Sequence, residues 1–90
     1  MKVKFFAFFR NYAKCKETDV PLYNDLRELL DFLCQKYGKE FEGKVYTKNR
    51  EISDEVIILI NGRHIAHLEG INTKLKEGDE VCIFPVAAGG

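Results

Sequence analysis

The run Glu55-Val-Ile-Ile-Leu-Ile60, followed at once by Asn61-Gly62, leaves the middle of this chain few options. β-Branched and aliphatic residues in a row favour a strand. Asn-Gly is the strongest short hairpin signal, because a two-residue type I′ turn needs positive φ at both positions. The nearly unbroken apolar run predicts a strand buried on both faces. Arg63 to Ala66 is expected to return as its short partner.

The remaining elements follow from the same kind of pattern. Leu75-Lys-Glu-Gly-Asp79 predicts a tight turn, and Glu80 to Val86 the last strand. Lys2 to Arg10 is dominated by aromatic and β-branched residues and predicts a first strand. Strict alternation puts Val3, Phe5, Ala7 and Phe9 on one face and Lys2, Lys4, Phe6, Phe8 and Arg10 on the other. Glu17 to Leu22 predicts a second strand, with Pro21 fitting an edge. Leu26, Leu29, Leu30, Leu33 and Tyr37 recur at helical spacing. Asn24 is the expected N-cap, Asp25 and Glu28 suit the first turn, and Gly38 is a natural stop, so a helix is predicted over 25–37. Lys39 to Asp54 carries many charges and reads as a long loop with a short helical turn or an extra strand.

Strand, strand, helix, then three strands is the order of an α+β fold. One main helix would pack on one face of a mixed sheet, reached by a right-handed crossover, with the first and last strands parallel and adjacent. Ninety residues make one domain. Residues 1–86 are assigned to it and residues 87–90 to a tail.

Composition narrows the function. Fourteen basic residues balance fourteen acidic ones, for a formal net charge of zero. A nucleic-acid partner is therefore not expected, because such binders carry a basic excess. No apolar run is long enough to cross a bilayer, so no membrane partner is expected either. Cys15, Cys34 and Cys82 are odd in number and lack Cys-x-x-Cys spacing, which points to reduced thiols and a cytoplasmic location. Cys82 and Cys34 read as small apolar fillers, and Cys15, in a loop, as the exposed thiol. His64 and His67 could be metal ligands, but no Cys or acidic ligand follows at a recognisable spacing. Exposed or hydrogen-bonded histidines are the preferred reading, and no metal is assigned.

Two features point to chemistry. The first is the end, Ala87-Ala88-Gly89-Gly90, directly behind a strong strand. Glycine has no Cβ, so Gly89-Gly90 makes the thinnest possible peptide thread. Nothing crowds a carboxylate on Gly90. Another enzyme could activate it with ATP as an acyl-adenylate, and a persulfide sulfur could then convert it to a thiocarboxylate. The plainer alternative is a frayed, inert end. The second feature is an outward apolar patch. If Val3 and Phe5 face the helix, then Phe6 and Phe8 face away, as does Phe84 when Val81 and Ile83 face in. With Arg10, Pro85 and Val86 they would form a surface beside the tail. It is either a partner surface or a second small core covered by Lys39 to Asp54.

The segments Ile60-Asn-Gly-Arg63, Leu75-Lys-Glu-Gly-Asp-Glu-Val81 and Ile83-Phe-Pro-Val-Ala-Ala-Gly-Gly90, with the opening Val3-Lys-Phe-Phe-Ala-Phe-Phe-Arg10, resemble the small subunit of molybdopterin synthase. That subunit belongs to the ubiquitin-like β-grasp sulfur carriers. Its family usually ends Phe-Pro-Pro-Val-Ala-Gly-Gly; here Val86 stands at the second proline position, followed by Ala87 and Ala88.

The resemblance implies a cycle. A ubiquitin-activating-type enzyme adenylates Gly90, a sulfur donor protein supplies the sulfur, and the tail inserts into the large subunit of molybdopterin synthase. The chain would bind no cofactor of its own, and ATP would be used by the activating partner. Gly89 and Gly90 carry the chemistry in this reading. Phe6, Phe8, Arg10, Phe84, Pro85, Val86, Ala87 and Ala88 meet the partner. Carriage of sulfur for thiazole synthesis, attachment of Gly90 to target lysines and a plain interaction module are the alternatives.

Overall fold

The computed structural model describes residues 1–86. Its sheet has five strands: β1 (Lys2–Phe5), β2 (Glu17–Asp19), β3 (Val56–Ile60), β4 (Arg63–His64) and β5 (Glu80–Pro85), in the spatial order β2-β1-β5-β3-β4. β1 and β5 run parallel, pairing Lys2 with Glu80 and Phe5 with Ile83. Every other pairing is antiparallel. This is the mixed sheet that the order of elements predicts. The Asn61-Gly62 hairpin forms as expected, with φ of 51° and 84° at its two central residues.

Three helices, α1 (Phe8–Ala13), α2 (Leu26–Tyr37) and α3 (Lys39–Val45), accompany the sheet. The core between the layers holds Val3, Phe5, Val81, Ile83 and Ile58 from the strands. Leu26, Leu29, Leu30, Leu33, Phe9, Phe41 and Val45 come from the helices. Truncating any of these large apolar side chains leaves a cavity and costs about 2–5 kcal/mol.

The expected first strand over 2–10 ends at Phe5, with α1 following from Phe8. The reason is spacing. Phe9 and Ala13 lie four apart and are both buried, so a helix sinks them together. A strand would have buried Ala7, which is exposed instead. The switch occurs at Ala7, whose φ of 53° and ψ of −133° lie where a residue with a Cβ is strained. Arg10 closes the corner by donating from Nε to the Phe5 carbonyl at 2.9 Å.

The α2 start also moves by one residue. Asp25, not Asn24, is the N-cap, and its carboxylate accepts the Glu28 N–H at 3.0 Å. Asn24 is held in extended pairing, because its carbonyl accepts the Leu75 N–H at 3.1 Å. Glu28 reaches back to accept the Asn24 N–H at 3.0 Å. Gly38 stops α2 with φ of 99°.

The segment 39–54 is more ordered than a loop. α3 buries Phe41 and Val45, and a short bridge joins Tyr46 to Ile52. Phe41 meets Phe5 and Phe9 edge-on at 6.2 and 5.6 Å between ring centroids. The segment thus packs on the helical side of the sheet. A clamp holds its far end: Tyr46 donates to Asp31 at 2.9 Å, and Arg50 pairs with Asp31 and Glu42, each at 2.7 Å.

β2 is shorter than expected, ending at Asp19. Val20 still donates to the Met1 carbonyl at 2.9 Å. β4 ends at His64, and the chain turns into a 3₁₀ segment, Ile65–His67. β3 is buried on one face only, with Ile57 and Leu59 half exposed, so the expectation of burial on both faces does not hold. No helix among the described residues is long and apolar enough to cross a membrane.

Candidate functional site

Alternation along β5 buries Val81 and Ile83 and turns Cys82 and Phe84 to the opposite face. The parallel register with β1 sets Phe6 next to Phe84. Their rings stack at 4.2 Å between centroids and 10° between planes. The Arg10 guanidinium lies over the other side of Phe6, 5.3 Å from its centroid. Ile57 pairs with Phe84 across β3 and β5. The sheet thus carries a half-exposed apolar row, Phe6–Phe84–Ile57, with a cation at one end. The segment 39–54 lies on the helical side and does not cover it.

Ion pairs border this row. Lys4 meets Glu80 at 3.1 Å and Lys2 meets Glu17 at 3.0 Å, all on the same face. The Lys2 pair is exposed. Its hydrogen bond and opposite charges lower the Glu17 carboxyl and raise the Lys2 ammonium.

The strand end is shaped by two residues. Pro85 points its nitrogen toward the side that β1 has already vacated, so its missing N–H breaks no ladder bond. Val86 donates its N–H to the Glu55 carbonyl at 3.0 Å, extending the pairing with β3 by one rung. A proline at that position, as in the family pattern, has no N–H for this bond. Val86 is 45% exposed. Ala87, Ala88, Gly89 and Gly90 lie outside the described residues.

Phe8 is not on the outer face, contrary to the strand reading. It sits in α1, 4.9 Å from Phe9 and 6.0 Å from Tyr12 between ring centroids. Lys44 lies over its ring at 5.6 Å and reaches Glu55 at 3.9 Å. A helix rotates Phe8 away from Phe6, where a strand would have kept them on one side.

His64 Nδ1 accepts the Ala66 N–H at 3.0 Å, and the His64 and His67 rings stand 6.2 Å apart. No group of three metal-ligating side chains occurs among the described residues. Cys34 is buried, and burial, with the Glu42 and Asp31 charges, pushes its thiol up to about 12. Cys82 is half-buried on the outer face, its thiol raised chiefly by burial and by the Glu80 carboxylate. Cys15 is half-buried against the core, not an exposed loop thiol.

Sequence reasoning missed one feature near the strand end. A cavity of about 400 Å³ opens beside β3, lined among others by Ile52, Val56, Ile65 and Val86. It exists because β4 stops short, which no local pattern announces.

The model of the ThiS family matches residues 3–90. A protein of Archaeoglobus fulgidus, named as a sulfur carrier, is 38% identical over 65 residues, or 72% of this chain and 73% of its own. The solution structure of small archaeal modifier protein 1 from Methanosarcina acetivorans superposes with a TM-score of 0.84 at 36% identity, covering 99% of this chain and 94% of that one. A structure named as molybdopterin converting factor subunit 1, from Pyrococcus furiosus, gives 0.67 at 29% identity, covering 96% and 95%. The chain therefore belongs to the ThiS family of ubiquitin-like β-grasp proteins, whose relatives here are named as sulfur carriers and small modifiers.

Proposed function

We propose that this chain carries sulfur on its C-terminal Gly90 as the small subunit of molybdopterin synthase. The observation that supports this best is one of position. β5 ends at Pro85, beside the stacked Phe6–Phe84 pair and Arg10, and the sequence reaches its diglycine end five residues later.

The chemistry follows from what Gly90 offers. A partner enzyme of the ubiquitin-activating type attacks ATP with the Gly90 carboxylate, releasing pyrophosphate and leaving an acyl-adenylate. A donor persulfide attacks the carbonyl and AMP departs. The bond formed is between the carbonyl carbon and the outer sulfur. A second thiol of the donor then cleaves the S–S bond the persulfide brought with it, leaving the thiocarboxylate and a disulfide. The tail then inserts into the large subunit of molybdopterin synthase, where the pterin precursor bound there accepts the sulfur for its dithiolene and hydrolysis returns Gly90 to a carboxylate. The tail reaches both partners as a thin thread, while the apolar row supplies the affinity.

The test is ATP-dependent adenylation with the cognate activating enzyme, followed by intact-mass detection of sulfur in place of oxygen. Deleting Gly90 retracts the carboxylate by about 3.5 Å, which removes it from the geometry that acyl transfer needs. The truncated chain should fold normally and gain no sulfur. Equal sulfuration of the truncated and full-length chains would remove Gly90 from its role. Gly89→Val should also fail, because a branched side chain widens the thread.

A second reading, attachment of Gly90 to lysines of target proteins, is favoured by the 36% identity to a small archaeal modifier over nearly the whole chain. Activation is the same in both. Mass spectrometry of protein from the native cell separates them, since a modifier appears as a Gly-Gly remnant on target lysines and a carrier as a free thiocarboxylate.

A further inference from the structure

The ladder between β3 and β5 runs one residue past the end of β5. Val56 pairs with Pro85, and Val86 then donates to the Glu55 carbonyl at 3.0 Å. Glu55 is itself held from behind. Its N–H donates to Ser53 Oγ at 2.9 Å. Ser53 is 7% exposed, and its own N–H donates at 2.8 Å to the carbonyl of Val45, the buried last residue of α3. Three hydrogen bonds thus lead from the end of α3, through Ser53 and Glu55, to the amide of Val86.

The Val86 side chain is 45% exposed, so packing alone does little to hold this end. Without the bond to Glu55 an exposed strand end frays. Four residues, 87–90, follow it in the sequence and span at most about 14 Å. A carboxylate at the end of so short a thread is delivered only as accurately as its root is held. Docking through the Phe6–Phe84 row brings the tail to a partner, and entry of the tail is then an intramolecular step. Each unfixed residue at the root adds conformations which that step must give up.

We propose that Val86 is a positioning residue for the reaction of Gly90. Its N–H, pinned to Glu55, holds the root of the tail in line with β5 and raises the share of docked complexes in which Gly90 reaches the activating site. This rests on the adenylation step, which the carrier and modifier readings share.

The test removes one N–H from the full chain. Native chemical ligation at Cys82 joins residues 1–81 to a synthetic segment 82–90 with an ester in place of the Pro85–Val86 amide. An all-amide chain made in the same way is the control. Adenylation by the cognate activating enzyme is followed in single turnovers over a range of enzyme concentrations. The ester should lower the saturating rate by about tenfold, the cost of ordering one residue's backbone. The half-saturating concentration should not change, because the docking row is intact. Val86→Ala keeps the N–H and should keep the saturating rate. Ser53→Ala, made recombinantly, loosens Glu55 and should lower that rate by a smaller factor, which tests the same pin should the ester chain fail to fold. In the control, the Val86 amide should exchange at least about tenfold slower than an unprotected one. An unprotected Val86 amide, or a saturating rate that neither change lowers, overturns the role of Val86 and leaves the carrier reading standing. A change in half-saturation alone also overturns it, by making the bond part of docking. If the all-amide chain is not adenylated, both fall.

Discussion

The Asn61 side-chain amide donates to the Asp79 carboxylate at 2.8 Å and thereby ties the hairpin between β3 and β4 to the turn that opens β5. Asn61 also accepts the Glu80 N–H on its side-chain oxygen at 2.9 Å. The other Asp79 oxygen accepts the Lys76 N–H at 2.8 Å. Asp79 is 7% exposed, so these bonds are what satisfy its buried oxygens.

Asn61→Ala should therefore destabilise the fold by about 2 kcal/mol, the range for a hydrogen bond to a charged group. Asn61→Gly keeps the positive φ and should lose the bonds alone, making it the milder change. Asn61→Asp sets two carboxylates face to face and should be the worst of the three. Urea denaturation of the three variants checks the order. An alanine variant as stable as the parent would show that the link carries no net stability.

Ala7→Gly should stabilise the chain by about 1 kcal/mol, despite adding a flexible residue. Ala7 sits at φ 53°, and relief of that strain outweighs the entropy that glycine adds to the unfolded state. A lower midpoint in thermal unfolding would show that the corner between β1 and α1 is not strained.

Phe84→Ala should leave the chain folded, with stability reduced by about 1 kcal/mol for the lost stack on Phe6. Partner affinity should fall by about 2–4 kcal/mol, the loss typical of a central aromatic anchor. Calorimetric titration against the activating enzyme or a molybdopterin synthase large subunit reads it. Unchanged affinity would take Phe84 out of the interface.

Alkaline pH should destabilise the chain through two groups on the helical side. Burial, and the hydrogen bond from Tyr46 to Asp31, hold the Tyr46 phenol above its ordinary range. Burial, with Glu42 and Asp31, holds the Cys34 thiol up to about 12. Each folded-state pKa is raised, so each group keeps its proton in the fold after the unfolded chain has lost it. Stability is then lost as pH rises from about 9 for the thiol and about 10 for the phenol. Tyr46→Phe should flatten the phenol part of that loss, and Cys34→Ala the thiol part. Near pH 7, Tyr46→Phe should cost about 1 kcal/mol for its hydrogen bond. Denaturation curves from pH 7 to 11 test this. A parent chain with a flat profile would overturn it.

The strand order, the long helix and the outward Phe6–Phe84 pair were legible because each rests on several repeats of one period. The apolar positions of α2 recur across its 12 residues, and β3 is closed by a turn that only a few dipeptides make. Phe5 and Phe9 were ambiguous, since a spacing of four satisfies both a strand and a helix, and Phe8 inherited the error. Only the later residues Tyr12 and Ala13 favour the helix. α3 has 7 residues and two buried positions, Phe41 and Val45, too few to establish a period. The N-cap slipped from Asn24 to Asp25 because a non-local strand-like contact, with residues 73–75, sets the boundary. The cavity beside Val56 was invisible for a related reason. It depends on where β4 stops, which the packing of Ile65 into the core decides.

All three helices pack against the same side of the sheet, and this separates two kinds of selection along a single strand. In β5, Val81 and Ile83 are buried in the core, while their immediate neighbours Cys82 and Phe84 are half-exposed on the outer face and contribute less to folding. A lineage could rewrite the outer row residue by residue, changing which enzyme docks, with little penalty in stability. Alternate letters of the same short segment would then diverge at different rates, so that recognition evolves on a scaffold that stays still.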